Sequence, residues 1–261
     1  MRALVIAATG MQAQSMRVEV ISNNLANMST TAYNARRAEF ADLHYQQIQR
    51  AGTVNALTGA VLPAGVQIGL GVRAAAVSMD VRQGAVIATG GELDLAIEGN
   101  GYIEVELPNG TAAYTRDGAL KRGPDGRIVT SEGFPIVPDI TIPEEARAVE
   151  INAAGEVYAR FDDQVEPQLL GRLTLVTFVN QKGLEAIGGN LYRETPASGQ
   201  PNPGDPGTDG RGTFRQGYLE ESSVDAVREI TELIEAQRGY ELNAKVITAA
   251  DQMLGATTQI R

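Results

Sequence analysis

Residues 1–28 read MRALVIAATGMQAQSMRVEVISNNLANM, and residues 223–261 read SVDAVREITELIEAQRGYELNAKVITAADQMLGATTQIR. In the first stretch Leu4, Ala7, Met11, Gln14, Val18, Ile21, Leu25 and Met28 follow one another at alternating steps of three and four. In the second, Ile230, Leu233, Gln237, Tyr240, Ala244, Ile247, Asp251 and Leu254 keep the same alternation. A repeat of about 3.5 residues holds one stripe on one side of an α-helix and is the a/d seam of a coiled coil. The spacing therefore predicts a long helix at each end of the chain, the two paired together. Each helix carries a second apolar row: Ile6, Ala13 and Val20 in the first, and Val227, Ile234, Val246, Met253 and Ile260 in the second. One seam is enough to pair the ends, so the second row leaves apolar surface that the pair alone does not cover. Three arrangements fit: a helical hairpin folded onto its own body, paired ends that pack against copies of themselves, and a simple coiled-coil oligomer.

Working inward, the first helix is expected to fray near Leu25–Met28. Asn23, Asn24 and Asn27 disfavour a helix interior because their amides compete for nearby backbone groups, and their simplest role is to satisfy the last carbonyls. Gly10 costs the helix about 1 kcal/mol relative to Ala and permits a close helix approach. Ser222, Ser223 and Asp225 are all suitable N-caps for the second helix. Arg36 and Arg37 open a basic, extended piece, whereas Leu43–Ile48 fits helix or strand equally. Val66, Ile68, Leu70 and Val72 alternate with Gln67, Gly69 and Gly71, which reads as a strand with one nearly bare face open to a second backbone. Folded as a hairpin with its loop tip over 51–60, this segment reaches roughly 50 Å at about 3.3 Å per residue, enough to bridge neighbouring subunits.

From 74 to 221 the chain reads as β throughout. Tyr102–Leu107 is a strand closed by the turn Pro108-Asn109-Gly110, and Asp125-Gly126 turns into Ile128-Val129. Pro135, Pro138 and Pro143 make 134–142 an edge or irregular strand. The Pro- and Gly-dense stretch 196–212 is expected to be a long surface loop. The fold class is thus α+β, with four parts: an N-terminal helix over 1–35, an extended segment over 36–73, a mostly antiparallel β-domain over 74–221, and a C-terminal helix over 222–261.

The composition narrows the function. A formal charge of −10 across 261 residues argues against nucleic acid or an anionic membrane as the main partner. With no cysteine, disulfides and thiolate zinc sites are excluded. Arg2 followed by an apolar run looks like a signal peptide, but the run is short and the helical pattern continues straight through it. No stretch approaches the roughly 18 apolar residues of a spanning helix. His44 is the only histidine and has neither a nucleophile elbow nor a ligand partner nearby in sequence. Gly69-Leu70-Gly71-Val72-Arg73-Ala74 matches a loose dinucleotide-binding pattern but leads into β sequence rather than a βα unit. The Asp-Gly pairs at 117, 125 and 209 lack the spaced oxygens of a calcium loop and read as turns. No catalytic, cofactor or metal constellation emerges, and an enzyme with coiled-coil oligomerisation arms is disfavoured for that reason.

Ile21-Ser22-Asn23-Asn24-Leu25-Ala26-Asn27 with Thr30, Thr31 and Tyr33 resembles the N-terminal signature of bacterial flagellar rod and hook proteins. Ile234-Glu235-Ala236-Gln237-Arg238-Gly239-Tyr240-Glu241-Leu242-Asn243-Ala244-Lys245 resembles the matching C-terminal signature. Tyr114-Thr115-Arg116-Asp117-Gly118 is similar to the family's central β-domain. The length, the stretch Leu62–Arg73 and Asn190-Leu191-Tyr192 resemble the distal rod type, the alternative being a proximal rod or other axial subunit. Asn34 and Gly239 depart from the lysine and alanine common in the family.

The resemblance implies a non-enzymatic subunit exported without a signal peptide by the flagellar export apparatus. Such subunits assemble into a hollow helical drive shaft running from the periplasm to the outer membrane. The implied partners are copies of the chain itself, proximal rod proteins, the hook protein, the rod cap, and the peptidoglycan- and outer-membrane-associated rings. Self-assembly is assigned to Leu4, Met11, Val18, Ile21, Asn23, Asn24, Leu25, Asn27, Ile230, Leu233, Ile234, Gln237, Tyr240, Ala244, Ile247, Met253 and Leu254. Rod stiffening is assigned to Leu62, Val66, Ile68, Gly69, Leu70, Gly71 and Val72.

Overall fold

The computed structural model describes residues 2–50, 52, 64–162, 164 and 166–259, with side chains described up to Gly255. Helix α1 spans Arg2–Ala26 and helix α2 spans Ala226–Gln259, with β structure between them. The architecture is α+β. No helix among the described residues is long and apolar enough to cross a membrane.

The chain forms two compact units. The first comprises Met1–Ala26, Arg36–Ser78 and Asp225–Arg261. Asp225 caps α2: its Oδ1 accepts from the N–H groups of Val227 at 3.0 Å and Arg228 at 3.3 Å. The two serines are used elsewhere, Ser223 Oγ accepting from Ala35 N and Ser222 Oγ from Val224 N. Between the helices runs a ribbon of β1 (Arg36–Asp42), β2 (Tyr45–Gln49), β3 (Val66–Gly69) and β4 (Val72–Met79). Strand β1 pairs with β4, and β2 pairs antiparallel with β3, matching Tyr45 to Gly69 and Gln46 to Ile68. The segment 43–48 is therefore strand from Tyr45 onward rather than helix, because its backbone groups find partners on the returning chain.

The expected single strand from Val66 to Val72 is broken at Leu70-Gly71. Gly71 has φ +115°, and a Cβ there would overlap Thr9 Oγ1 of α1. Thr9 Oγ1 donates to Ile6 O at 2.8 Å and accepts from Val72 N at 3.3 Å, so α1 holds the ribbon at its break. Residues 53–63, which carry the expected loop tip and Leu62, lie outside the described residues, as does Ile260.

The second unit, Asn27–Ala35 with Met79–Val224, is the β-domain. Its largest sheet orders the strands Ile136–Val137, Ile103–Glu106, Ala112–Thr115, Leu191–Arg193 and Glu185–Gly188, all antiparallel. The proline-flanked strand at 136–137 occupies an edge, where missing donors cost least. A meander of Ala148–Ile151, Glu156–Arg160 and Gln168–Arg172 forms a second sheet. Alternate residues point inward: Ile103, Val105, Val149, Ile151, Val157 and Ala159 are all buried. Beside this aliphatic core Tyr102, Tyr114, Phe178 and Tyr192 pack edge to face, with centroids 4.9–5.9 Å apart.

The stretch 196–212 is not simply a loop. Its Asn202–Gly204 pairs with Leu175–Thr177, and the Arg211 guanidinium is buried against the carbonyls of Asn202 and Pro203. Pro203 is tolerated because the sheet has only two strands and needs no second ladder.

Candidate assembly interface

The two terminal helices run antiparallel, side by side. Gly10 faces Asn243, Gln14 faces Gly239, Arg17 reaches Glu232, and Asn24 meets Glu229. The buried positions are Ala7, Ala13, Ile21 and Asn24 on α1, and Ala236 and Ala250 on α2. Adding the facing residues gives a stripe of 229, 232, 236, 239, 243 and 250 on α2, one residue short of the expected 230, 233, 237, 240, 244 and 251. On α1 the expected positions 7, 14 and 21 are retained, whereas 10, 17 and 24 replace 11, 18 and 25. Ile21 apart, the seam is therefore made of small and polar residues. Glycine and alanine let the helix axes approach closely, and Gln14, Arg17, Asn24 and Asn243 fill the remaining space. An apolar-only reading skips these positions, although their alternating steps were there to be read.

Apart from Ile21, the large apolar residues are not fully buried in this seam. Ile230, Ile234, Tyr240, Met253 and Leu254 are exposed by 41–64%, and Gln237 is exposed too. Leu4, Met11, Val18, Leu25, Leu233, Ala244 and Ile247 are half-buried, as is Asn27, while Asn23 is exposed. Of the residues assigned to self-assembly, Ile21 and Asn24 are buried.

Asn24, expected to satisfy the last helix carbonyls, reaches the start of the strand and the second helix. Its carboxamide pairs with the Arg36 backbone in both directions, Nδ2 donating to Arg36 O and Oδ1 accepting from Arg36 N, each at 2.8 Å. Nδ2 also donates to Glu229 Oε2 at 3.2 Å. One side chain thereby ties α1, the start of β1 and α2 together. Asn27 Oδ1 accepts from Thr30 Oγ1 in the turn that follows.

Two carboxylates of the seam are shifted in opposite directions. Burial pushes the Glu229 carboxyl above the usual carboxylate range, against the Asn24 hydrogen bond. Burial also acts on Glu232, but hydrogen bonds from Arg228 and Arg17 outweigh it and hold that carboxyl below the range.

In the ribbon, Val66, Ile68 and Leu70 are exposed by 36–47% and Val72 is half-buried. Gly69 and Gly71 do not face an open slot in the subunit. The Tyr45 ring lies over Gly69, at 3.4 Å from where a Cβ would sit, and Thr9 covers Gly71. His44 is exposed in a surface hollow shared with Asp42, Tyr45 and Arg73. The glycine pattern at 69–74 spans the break between β3 and β4 and opens no helix. No cluster of three or more metal-ligating side chains occurs among the described residues.

Three family models match the chain. A flagella basal body rod protein model covers residues 4–33, a flagellar hook protein FlgE/F/G D1 domain covers 96–159, and a flagellar basal body rod FlgEFG protein C-terminal model covers 215–260. The flagellar basal-body rod protein FlgG of Caulobacter vibrioides is 50% identical over 261 residues, covering 100% of both chains. The chain belongs to the flagellar basal-body rod protein FlgG family. Further members that it resembles are those of Agrobacterium fabrum, 48% identical over 97% of each chain, and Bacillus subtilis, 36% identical over 97% of each. Membership places the chain in the flagellar basal body as an axial structural protein, and the matched segments include both terminal helices.

Proposed function

We propose that this chain is a non-enzymatic structural subunit of the distal rod, which polymerises into a hollow helical drive shaft carrying torque from motor to hook. The observation that carries the reading is the division of labour on the terminal helices. Their mutual seam consumes small and polar residues and leaves Ile230, Ile234, Tyr240, Met253 and Leu254 on the surface. Each such side chain, if covered by a neighbouring copy, contributes about 1.5–3 kcal/mol. A patch that meets a different patch on the next copy makes a heterologous contact, and an unclosed rotation turns that contact into a filament.

In this reading the parts 1–35 and 222–261 form the inner tubular layer, with coiled-coil-like packing between subunits. The part 36–73 is the stiffening segment, and 74–221 is the β-domain. Export proceeds without a signal peptide through the flagellar export apparatus. The neighbours are proximal rod proteins, the hook protein, the rod cap and the surrounding peptidoglycan- and outer-membrane-associated rings.

The ribbon favours the distal rod over a proximal one. Both faces of β2 and β3 are largely exposed, and a two-stranded ribbon of that kind is marginal in water unless something packs on it. A neighbouring subunit is the proposed cover, with Val66, Ile68 and Leu70 as the adhesive residues. Deleting 46–66 leaves both terminal helices, so the variant is expected to polymerise into curved or more flexible rods, visible in electron micrographs of isolated basal bodies. Straight, stiff rods would refute the stiffening role, and failure to polymerise would move the ribbon into the basic assembly contact.

A further inference from the structure

We infer that Gly10, Gln14, Gly239 and Asn243 form the register key of the terminal helix pair: each helix offers a glycine hole to an amide of the other. Gly10 and Gln14 lie one turn apart on α1, and Gly239 and Asn243 lie one turn apart on α2. Because the helices are antiparallel, the two contacts stack reciprocally. A Cβ on Gly10 would sit 2.9 Å from Asn243 Nδ2, and a Cβ on Gly239 would sit 3.1 Å from Gln14 Cδ. Asn243 Nδ2 donates to Gly239 O at 3.0 Å, which fixes the amide over the helix that carries it. Gln14 Oε1 is buried and has no hydrogen-bond partner among the described residues.

This arrangement tolerates one register. A slip of one turn in one direction sets Asn243 opposite Gln14 and crowds two amides into one space. A slip the other way sets Gly239 opposite Gly10 and leaves a gap whose lining loses its contacts. Uniform apolar seams lack such a penalty, and a polar residue placed in a helix seam is a known way of specifying register at some cost in stability. The Arg17 ion pairs do not set register as well. Arg17 already reaches both Glu232 at 3.4 Å and Glu235 at 3.7 Å, and a half-exposed ion pair that accepts either partner restricts sliding little. The mechanical meaning, that a helix pair under torque must not slide along its own axis, rests on the distal-rod reading. The register assignment itself does not.

The chain contains no cysteine, so engineered thiols report without background. In the purified full chain, Arg17→Cys with Ala236→Cys shares the offset of the 10–243, 14–239 and 24–229 contacts and reports the observed register, and Arg17→Cys with Glu232→Cys reports the one-turn slip that brings Gly239 opposite Gly10. With the key intact, a short thiol crosslinker is expected to favour the 17–236 product over the 17–232 product by at least about tenfold. Replacing the key by Gly10→Ala, Gln14→Ala, Gly239→Ala and Asn243→Ala makes a uniform seam with higher helix propensity. The two products are then expected in comparable yield, with the helical circular dichroism retained. Persistence of the 17–236 preference in the four-alanine chain would overturn the inference. So would loss of both products, since the four residues would then hold the pair together rather than set its register. Neither result depends on rod assembly, so failure here and failure of the ribbon deletion are separable.

Discussion

Glu220→Ala tests the buried charge pair at the centre of the β-domain. Arg116 and Glu220 have side chains exposed by only 7% and 3%. Glu220 Oε2 accepts from Arg116 Nη2 at 2.8 Å and Nε at 3.1 Å, while Oε1 accepts from Gly84 N at 3.0 Å. Arg116 Nη1 also donates to the carbonyls of Gly99 and Gly101, at 3.0 and 2.9 Å. The pair thus joins four separate stretches of chain. Truncating the carboxylate leaves a buried guanidinium without its counter-ion, at a cost of about 3–5 kcal/mol, part of which is the orphaned Gly84 amide. For a domain of roughly 150 residues that corresponds to a midpoint lowered by about 6–20 °C. Arg116→Met with Glu220→Leu removes both charges and is expected to recover most of the loss, because an apolar pair of similar volume carries no unpaired charge. The near-ultraviolet dichroism of the tyrosine cluster is a suitable probe, since the chain has no tryptophan and Tyr102, Tyr114 and Tyr192 all sit in this domain. A Glu220→Ala chain within about 1 kcal/mol of the parent, or a double variant no better than the single one, would refute the argument.

Three further outcomes are expected. Leu25→Asp or Ile247→Asp should abolish incorporation into basal bodies while the β-domain keeps its tyrosine dichroism, because a carboxylate at a half-buried helix position loses hydration on packing; normal rods would remove these positions from the packed layer. Gly118→Ala should destabilise the β-domain by about 3 kcal/mol or more in urea unfolding, since the added Cβ would overlap the Leu95 carbonyl oxygen of the neighbouring backbone. Glu229 makes the helix pair pH-sensitive: its raised carboxyl binds a proton more readily in the folded chain than in the unfolded one, so its contribution falls as pH rises from the ordinary carboxylate range through the raised value. Glu229→Gln should remove that component from the pH profile of helix unfolding at 222 nm, the opposing effect of Glu232 being common to both chains, and identical profiles would contradict it.

The two helices, their ends, the β-hairpin at 103–115 and the edge position of the proline-rich strand follow from local spacing and turn chemistry, and each was legible in the sequence. So was the family, because its signatures sit on contiguous residues at both termini. Which face of α1 meets α2 was not legible. Apolar periodicity marks the stripes that avoid water, but it does not say whether a stripe meets its own chain or another copy. Here the chain's own contact took a stripe rich in small and polar residues, where Gly10 and Gly239 make room for amides more than 200 positions away. Asn24 shows the same limit. Its unsuitability for a helix interior is a property of the residue alone, whereas its pairing with Arg36 and Glu229 exists only once the strand and the second helix arrive beside it. The strand hidden in 196–212 likewise depends on Leu175–Thr177 offering a ladder that no local pattern announces. Local physics determined the elements and which of their faces are apolar. Long-range complementarity of shape and hydrogen bonding, which only the folded chain contains, decided which faces meet.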